Sequence, residues 1–337
     1  MRYFSCAALF LLLLGLVGCQ SASLTAAKLY VQEGESQRAL EQLQAALAED
    51  PTNPEIHYMI GEIAAQEGRY ADMAEAFGKS LQSGDAFRLK IKQVQDHYWA
   101  LEYNRGVAQV TGGTPDLENA HSIFTNATVI EPQRLEAWRN LAYVNYRLED
   151  LPAATTTYEH ILVSAPGDTA TLSALGTLYL SQERYGQAVE ALKRRGEVKP
   201  VGANTFINLG IAYERLQQPT QAKDAYIAAV GVDSTVFSGH YNLGNFYWSQ
   251  EQYDEAARAY ERAVAIDPED IDALFNLAVT YISLEDLDRA LPLLQTLSKS
   301  SPDNATVWRE LGRIYAIKGH IKASEQAYER ADTLKPQ

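Results

Sequence analysis

Residues 241–270 read YNLGNFYWSQEQYDEAARAYERAVAIDPED, and the spacing of large and small residues in that stretch decides the fold. Leu243, Gly244 and Tyr247 lie one and three residues apart, which places them on one stripe of an amphipathic helix. Ala256, Tyr260 and Ala263 follow at i, i+4 and i+7, a second helix that sets small residues beside a large one. Asp267-Pro268 then ends it, because proline has no N–H to donate and its ring clashes with the preceding turn. The stretch therefore predicts two helices, a turn between them and a stop.

Outward from this unit, the same pattern returns at intervals of 34 residues. Leu141, Leu175, Leu209, Leu243, Leu277 and Leu311 share one position, and Ala142, Gly176, Gly210, Gly244, Ala278 and Gly312 follow directly after them. Three residues further on stand Tyr179, Tyr213, Tyr247, Tyr281 and Tyr315, with Asn145 the exception. Pro166, Pro200, Pro268, Pro302 and Pro336 close their units. A glycine within a helix costs about 1 kcal/mol relative to alanine. Its return at one repeat position implies a close helix–helix approach that gives back more than it costs.

The unit from Tyr241 to Asn245, continued by Tyr247, Tyr253, Ala256, Tyr260, Ala263 and Pro268, resembles the tetratricopeptide repeat family. The resemblance implies an all-α, right-handed superhelical solenoid of about nine helix-turn-helix repeats. Weaker units precede the regular ones, with Tyr30, Ala39, Leu43, Ala46 and Pro51 in the first and Ile60, Gly61, Tyr70 and Phe77 in the second. The organisation expected is a leader over 1–18, repeats 1–2 over 19–86, an inserted helical seam over 87–98 and repeats 3–9 over 99–337. Thr111 to Pro115 lengthens the loop inside the third unit.

The N-terminus carries a different signal. Met1-Arg2 and the apolar run from Ala7 to Val17 form the charged and hydrophobic regions of an export signal, too short for a comfortable membrane span. Leu16-Val17-Gly18-Cys19 resembles the lipobox of bacterial lipoproteins, which implies lipidation at Cys19, and Gln20 after it implies outer-membrane sorting, facing the periplasm. Several acyl chains on one cysteine anchor stably where a single chain does not. The remaining cysteine, Cys6, lies in the leader, so the mature part is expected to carry no disulfide, zinc cluster or thiolate nucleophile.

Charge and motifs exclude other classes. With 43 acidic against 29 basic residues the formal charge is −14, which repels a nucleic-acid backbone. The six histidines are scattered, none at i, i+4 spacing, and no phosphate loop, nucleophile elbow or dinucleotide fingerprint occurs. No enzyme, cofactor or metal is expected. Glu149-Asp150 and Glu285-Asp286 fall in turns, where capping accounts for them. His57 and His240 occupy the position held by Trp138 and Trp308 in other units and read as packing residues.

In the resembled family the first helices of the repeats line a concave face that takes extended peptides or partner helices. Carried over, that face includes Tyr103, Tyr143 and Tyr146, then Ile207, Ile211, Tyr241 and Asn245, and finally Trp248, Phe275, Val279 and Ile282. Before the repeated leucine, Asn140, Asn208, Asn242 and Asn276 recur. A ladder of amides pairs with a peptide backbone, or with nearby backbone of its own chain. The family's carboxylate clamp is excluded, since Tyr241, Thr306 and Glu310 stand where it needs cations. Arg195 departs from the small residue usual near the end of its helix; with Arg194, Lys193 and Lys199 it reads as a solvated helix end or a partner-binding patch.

The function expected is that of a membrane-anchored protein-interaction scaffold for assembly or maintenance of an envelope complex of pilus, secretion or channel type. The alternative is an adaptor that recruits peptidoglycan or exopolysaccharide enzymes. Its partners are a protein or extended peptide in the groove and the membrane through Cys19, with no nucleic acid.

Overall fold

The computed structural model describes residues 21–334, so the leader, Cys19 and Pro336 lie outside the described residues. The described residues are all-α: eighteen helices pair as nine helix-turn-helix repeats. They fall into two compact units, Met1–Ile161 and Leu162–Gln337. The first holds α1 (Ala22–Glu33), α2 (Ser36–Glu49), α3 (Pro54–Gln66), α4 (Tyr70–Ser83), α5 (Arg88–Thr111), α6 (Leu117–Ile130) and α7 (Leu135–Arg147). The boundary falls inside α8 (Leu151–Ser164). The second holds α9 (Thr169–Ser181), α10 (Tyr185–Glu197), α11 (Ala203–Arg215), α12 (Pro219–Val232), α13 (Phe237–Ser249) and α14 (Tyr253–Ile266). It ends with α15 (Ile271–Ser283), α16 (Leu287–Ser300), α17 (Ala305–Ile317) and α18 (Ile321–Thr333).

The repeated glycine earns its place by what stands against it. A Cβ built on Gly210 would meet the Tyr226 ring at 2.3 Å, and one on Gly244 the Tyr260 ring at 2.6 Å. Gly61 faces Phe77 at 2.5 Å, Gly106 faces Phe124 at 2.7 Å, and Gly176 faces Leu192 at 2.5 Å. In each case the partner stands in the second helix of the same repeat, sixteen residues on except in the third repeat, where the longer loop makes it eighteen. Tyr226, Phe77 and Phe124 are fully buried, so the glycine lets a large side chain press flat on the first helix. The resulting dispersion contacts and burial exceed the helix-propensity cost.

Turns and loops repeat too. Two residues after the end of the first helix, five units place a residue in the left-handed region: Glu149, Glu183, Gln217, Glu251 and Glu285, with φ between 57° and 62°. In two of the five the residue after it caps the next helix: Asp286 accepts from the Arg289 N–H at 3.1 Å and Asp150 from that of Ala153 at 3.0 Å. A ring nitrogen near the start of the first helix closes the preceding loop. Trp138 donates to the Pro132 carbonyl at 2.9 Å and Trp308 to Pro302 at 2.8 Å. His57 makes the same bond to Pro51 at 2.9 Å and His240 to Ser234 at 3.0 Å. These histidines therefore substitute for indole, ring for ring and bond for bond.

The seam is a lengthened helix. The interval from Gly61 to Gly106 is 45 residues instead of 34, and the surplus forms the first half of the 24-residue α5. That helix runs unbroken across residues 98–99, so seam and third repeat share one element. Its extra turns are tied to the end of α6: Gln95 donates to the Ile130 carbonyl at 3.2 Å and Lys92 bridges Glu131 at 3.0 Å. Arg134 lies over the Trp99 ring, which stacks on Tyr103 at 4.7 Å. Deeper in α5, Glu102 is 1% exposed and is satisfied by Tyr70, Asn126 and Arg105.

Candidate functional site

An aromatic recess in the second unit lies between α13, α14 and α15. It encloses about 360 Å³ and is lined by Asn245, Trp248, Tyr260, Phe275, Asn276 and Val279. Helical spacing brings Asn245 and Trp248 to one face of α13, and Phe275, Asn276 and Val279 to the facing side of α15. Tyr260 reaches the same space from α14, its ring resting on Gly244.

A hydrogen-bond network fixes the polar wall. Tyr260 donates its hydroxyl to Asn245 Oδ1 at 2.6 Å. Asn276 Nδ2 donates to that same oxygen at 3.3 Å and to the Tyr241 hydroxyl at 3.1 Å. Burial pushes the hydroxyls of both Tyr260 and Tyr241 above the ordinary tyrosine range, so both stay protonated through neutral pH. Among the described residues, Asn245 Nδ2 and Asn276 Oδ1 have no partner within the chain. The recess thus offers one amide donor and one amide acceptor beside an indole and a phenyl ring, with no charged residue in its lining. A peptide backbone, which carries one donor and one acceptor per residue, is complementary to that wall.

The asparagine positions divide by what precedes them by 31 residues. Asn276 meets Asn245, and Asn208 donates to Thr177 Oγ1 at 3.3 Å. Asn242 has Ile211 at that distance along the chain and Asn140 has Gln109. Two members therefore stitch one repeat to the next, which leaves less amide free than a full ladder has.

Other residues assigned to the face separate into open surface and packing. Trp248 is 42% exposed, while Phe275, Val279, Ile211, Tyr241 and Asn242 are half-buried. Ile207 and Ile282 are corrections: at 5% and 6% exposure they belong to the cores of their repeats, Ile207 against Ala203 and Ala229, Ile282 among Leu277, Leu294 and Leu311. In the first unit Tyr103 is held between Trp99 and Phe124, and Asn140 is half-buried. Tyr143 and Tyr146 are exposed on α7, where Arg147 donates to the Tyr143 hydroxyl at 2.8 Å. Tyr260 was missed as a lining residue because its place on the second helix reads as packing alone.

Among the described residues there is no cluster of three His, Cys, Asp or Glu able to hold a metal ion. No described helix is long and apolar enough to cross a membrane.

Paired helices, a glycine under a ring in repeat after repeat, and a recess made by first helices define a helical-repeat scaffold. Sequence models of the tetratricopeptide repeat match residues 24–86, 207–271, 247–311 and 305–337, together more than half of the chain. The chain belongs to the tetratricopeptide repeat family, a family of protein-binding scaffolds. It is 22% identical over 206 residues to the BBSome complex member BBS4 of Bos taurus, covering 61% of this chain and 37% of that one. The chain thus spans little more than a third of that curated relative. Among solved structures it resembles Pseudomonas aeruginosa PilF, with TM-score 0.52 and 20% identity over 62% of this chain and 94% of that one. It also resembles a tetratricopeptide repeat protein of Parabacteroides merdae, with TM-score 0.53 and 17% identity over 71% and 94%. At these identities the likeness is one of fold.

Proposed function

We propose that this chain is a lipid-anchored scaffold that holds an extended segment of a partner protein against α13 and α15, in the service of assembling or maintaining a cell-envelope complex. The observation that carries the binding part is the recess at Trp248 and Phe275, where unpaired amide groups stand beside exposed aromatic surface. Aromatic surface of this kind supplies most of the energy at protein interfaces, and the amides orient a backbone without reading its sequence. The scaffold acts by holding its partner, without catalysis. The anchoring part is supported by the apolar leader and the Leu16 to Cys19 motif, and Gln20 after the cysteine supports an outer-membrane location facing the periplasm.

Replacing Trp248 and Phe275 together by alanine is expected to abolish capture of the partner by the tagged full-length chain in its host, with helicity by circular dichroism unchanged. Capture by the parent chain is expected to survive raised salt, because the recess has no charged lining. Undiminished capture by the double variant would move the site elsewhere. Recovery of pilus, secretion or channel subunits supports the assembly role, whereas recovery chiefly of cell-wall or exopolysaccharide enzymes supports the recruiting adaptor. In the same host, Cys19→Ser is expected to release the protein from the membrane fraction.

A further inference from the structure

A second recess occupies the equivalent place 68 residues earlier, between α9, α10 and α11. It encloses about 420 Å³, and its lining includes Ser173, Thr177, Arg195, Asn204 and Asn208. Leu192 stands where the later recess has Tyr260, and Thr177 where it has Asn245. The largest change is Arg195, which takes the repeat position of Ala229 and Ala263, both fully buried.

The guanidinium of Arg195 is held but not neutralised. One terminal nitrogen donates to the Val198 carbonyl at 2.8 Å and the other to Pro200 at 3.0 Å. Its Nε is buried with no hydrogen-bond partner. A guanidinium has five N–H groups, so three remain uncommitted. Arg69, Arg134 and Arg289 pair with carboxylates, but no carboxylate lies within ion-pairing distance of Arg195 among the described residues. In a chain of formal charge −14, this half-buried arginine faces a polar recess without a carboxylate beside it, which has a physical cost. Asn204, exposed beside it, and Asn208 add amide donors, and Gly202 at the start of α11 puts no side chain over the opening.

The geometry points to a carboxylate-binding subsite: the recess at Arg195 takes an acidic group of a bound peptide, two repeats from the aromatic recess that grips its backbone. The guanidinium and the two asparagine amides supply a charge-assisted hydrogen-bond set, which is stronger than neutral pairs. The cation comes from the second helix of a repeat, and the apolar wall of the later recess is replaced by hydroxyls and amides. This subsite rests on the peptide-binding reading for the nature of its ligand, but its test reads Arg195 directly.

The test uses the full-length chain labelled with 15N-arginine, the Arg195 Nε–H resonance being assigned by its loss in Arg195→Lys. The probes are acetylated, amidated glycine pentapeptides with a central aspartate or a central asparagine, a pentaglycine with a free C-terminus, and inorganic phosphate. The aspartate peptide is expected to shift the Arg195 resonance saturably, with the asparagine peptide at least about tenfold weaker. A stronger response to the free C-terminus supports the subsite with a terminal carboxylate as its source. Arg195→Ala, which restores the residue type of the sibling repeats, is expected to remain folded by circular dichroism and to lose aspartate-peptide binding measured by calorimetry. Trp248→Ala is expected to leave the Arg195 response intact, so failure of the aromatic recess is read separately. No saturable shift with either carboxylate, equal response to asparagine, or tighter saturation by phosphate would overturn the assignment.

Discussion

The recess at α13–α15 and the recess at α9–α11 are built on the same frame and differ in what fills it. In the later one Gly244 admits the Tyr260 ring, whose hydroxyl then fixes Asn245 and, through it, Asn276. In the earlier one Gly176 admits Leu192, which has no polar tip, and Asn208 is left with a single bond to Thr177. The space that Tyr260 and its neighbours fill with aromatic surface is turned over to Arg195 and small polar groups. The repeat fixes where a recess forms, and three or four substitutions within it set its chemistry.

The comparison is tested most severely at the glycines. Gly244→Ala forces a methyl group into a ring that is buried and tied at its hydroxyl, whereas the equally close Leu192 side chain facing Gly176 has no hydrogen bond to lose if it shifts. Gly244→Ala is expected to destabilise the second unit by about 1–3 kcal/mol. Gly176→Ala is expected to cost less, because the displaced leucine breaks no hydrogen bond; the helix-propensity gain of about 1 kcal/mol is common to both variants. Chemical denaturation of both variants, followed by amide exchange across α13–α14 and α9–α10, checks the order. Equal losses would mean that the ring is not held as described.

A smaller difference is expected between the asparagines. Asn276→Ala removes the group that joins Tyr241 to Asn245, and is expected to cost about 1 kcal/mol and loosen Trp248, read by its fluorescence. Asn208→Ala removes one exposed bond and is expected to cost a few tenths of that. A reversed order would show that the network around Asn276 is not what holds the aromatic recess.

Much of this was legible in the chain. A period of 34 residues in Leu, Gly and Tyr predicts the helix pairs, since only a helix brings those spacings to one face. Five of the six residues lining the aromatic recess were readable for the same reason, and Tyr260 was not. Its hydroxyl reaches Asn245 only because Gly244 has no side chain, a contact between two helices that periodicity within one helix does not register. Ile207 and Ile282 share the first helices with the open residues, yet they pack into the cores of their repeats, with Ala229 of α12 and Leu294 of α16 in the same clusters. Arg195 was visible as a departure from a small residue, but its direction depends on the carbonyls of Val198 and Pro200. Glu102 gave no signal, because an acidic residue on a helix reads as solvated until Tyr70 and Asn126 are brought to it.

The face formed by α13 and α15 is the proposed partner-holding surface. The most direct measurement places a photo-crosslinking amino acid at Val279, inside the recess, and separately at Ile266, exposed on the second helix α14, in the full-length protein in its own host. The prediction is a discrete covalent adduct from position 279, absent from position 266 and lost when Trp248 and Phe275 are replaced by alanine. Adducts of equal yield from both positions, or an adduct from 279 that survives the double substitution, would contradict it.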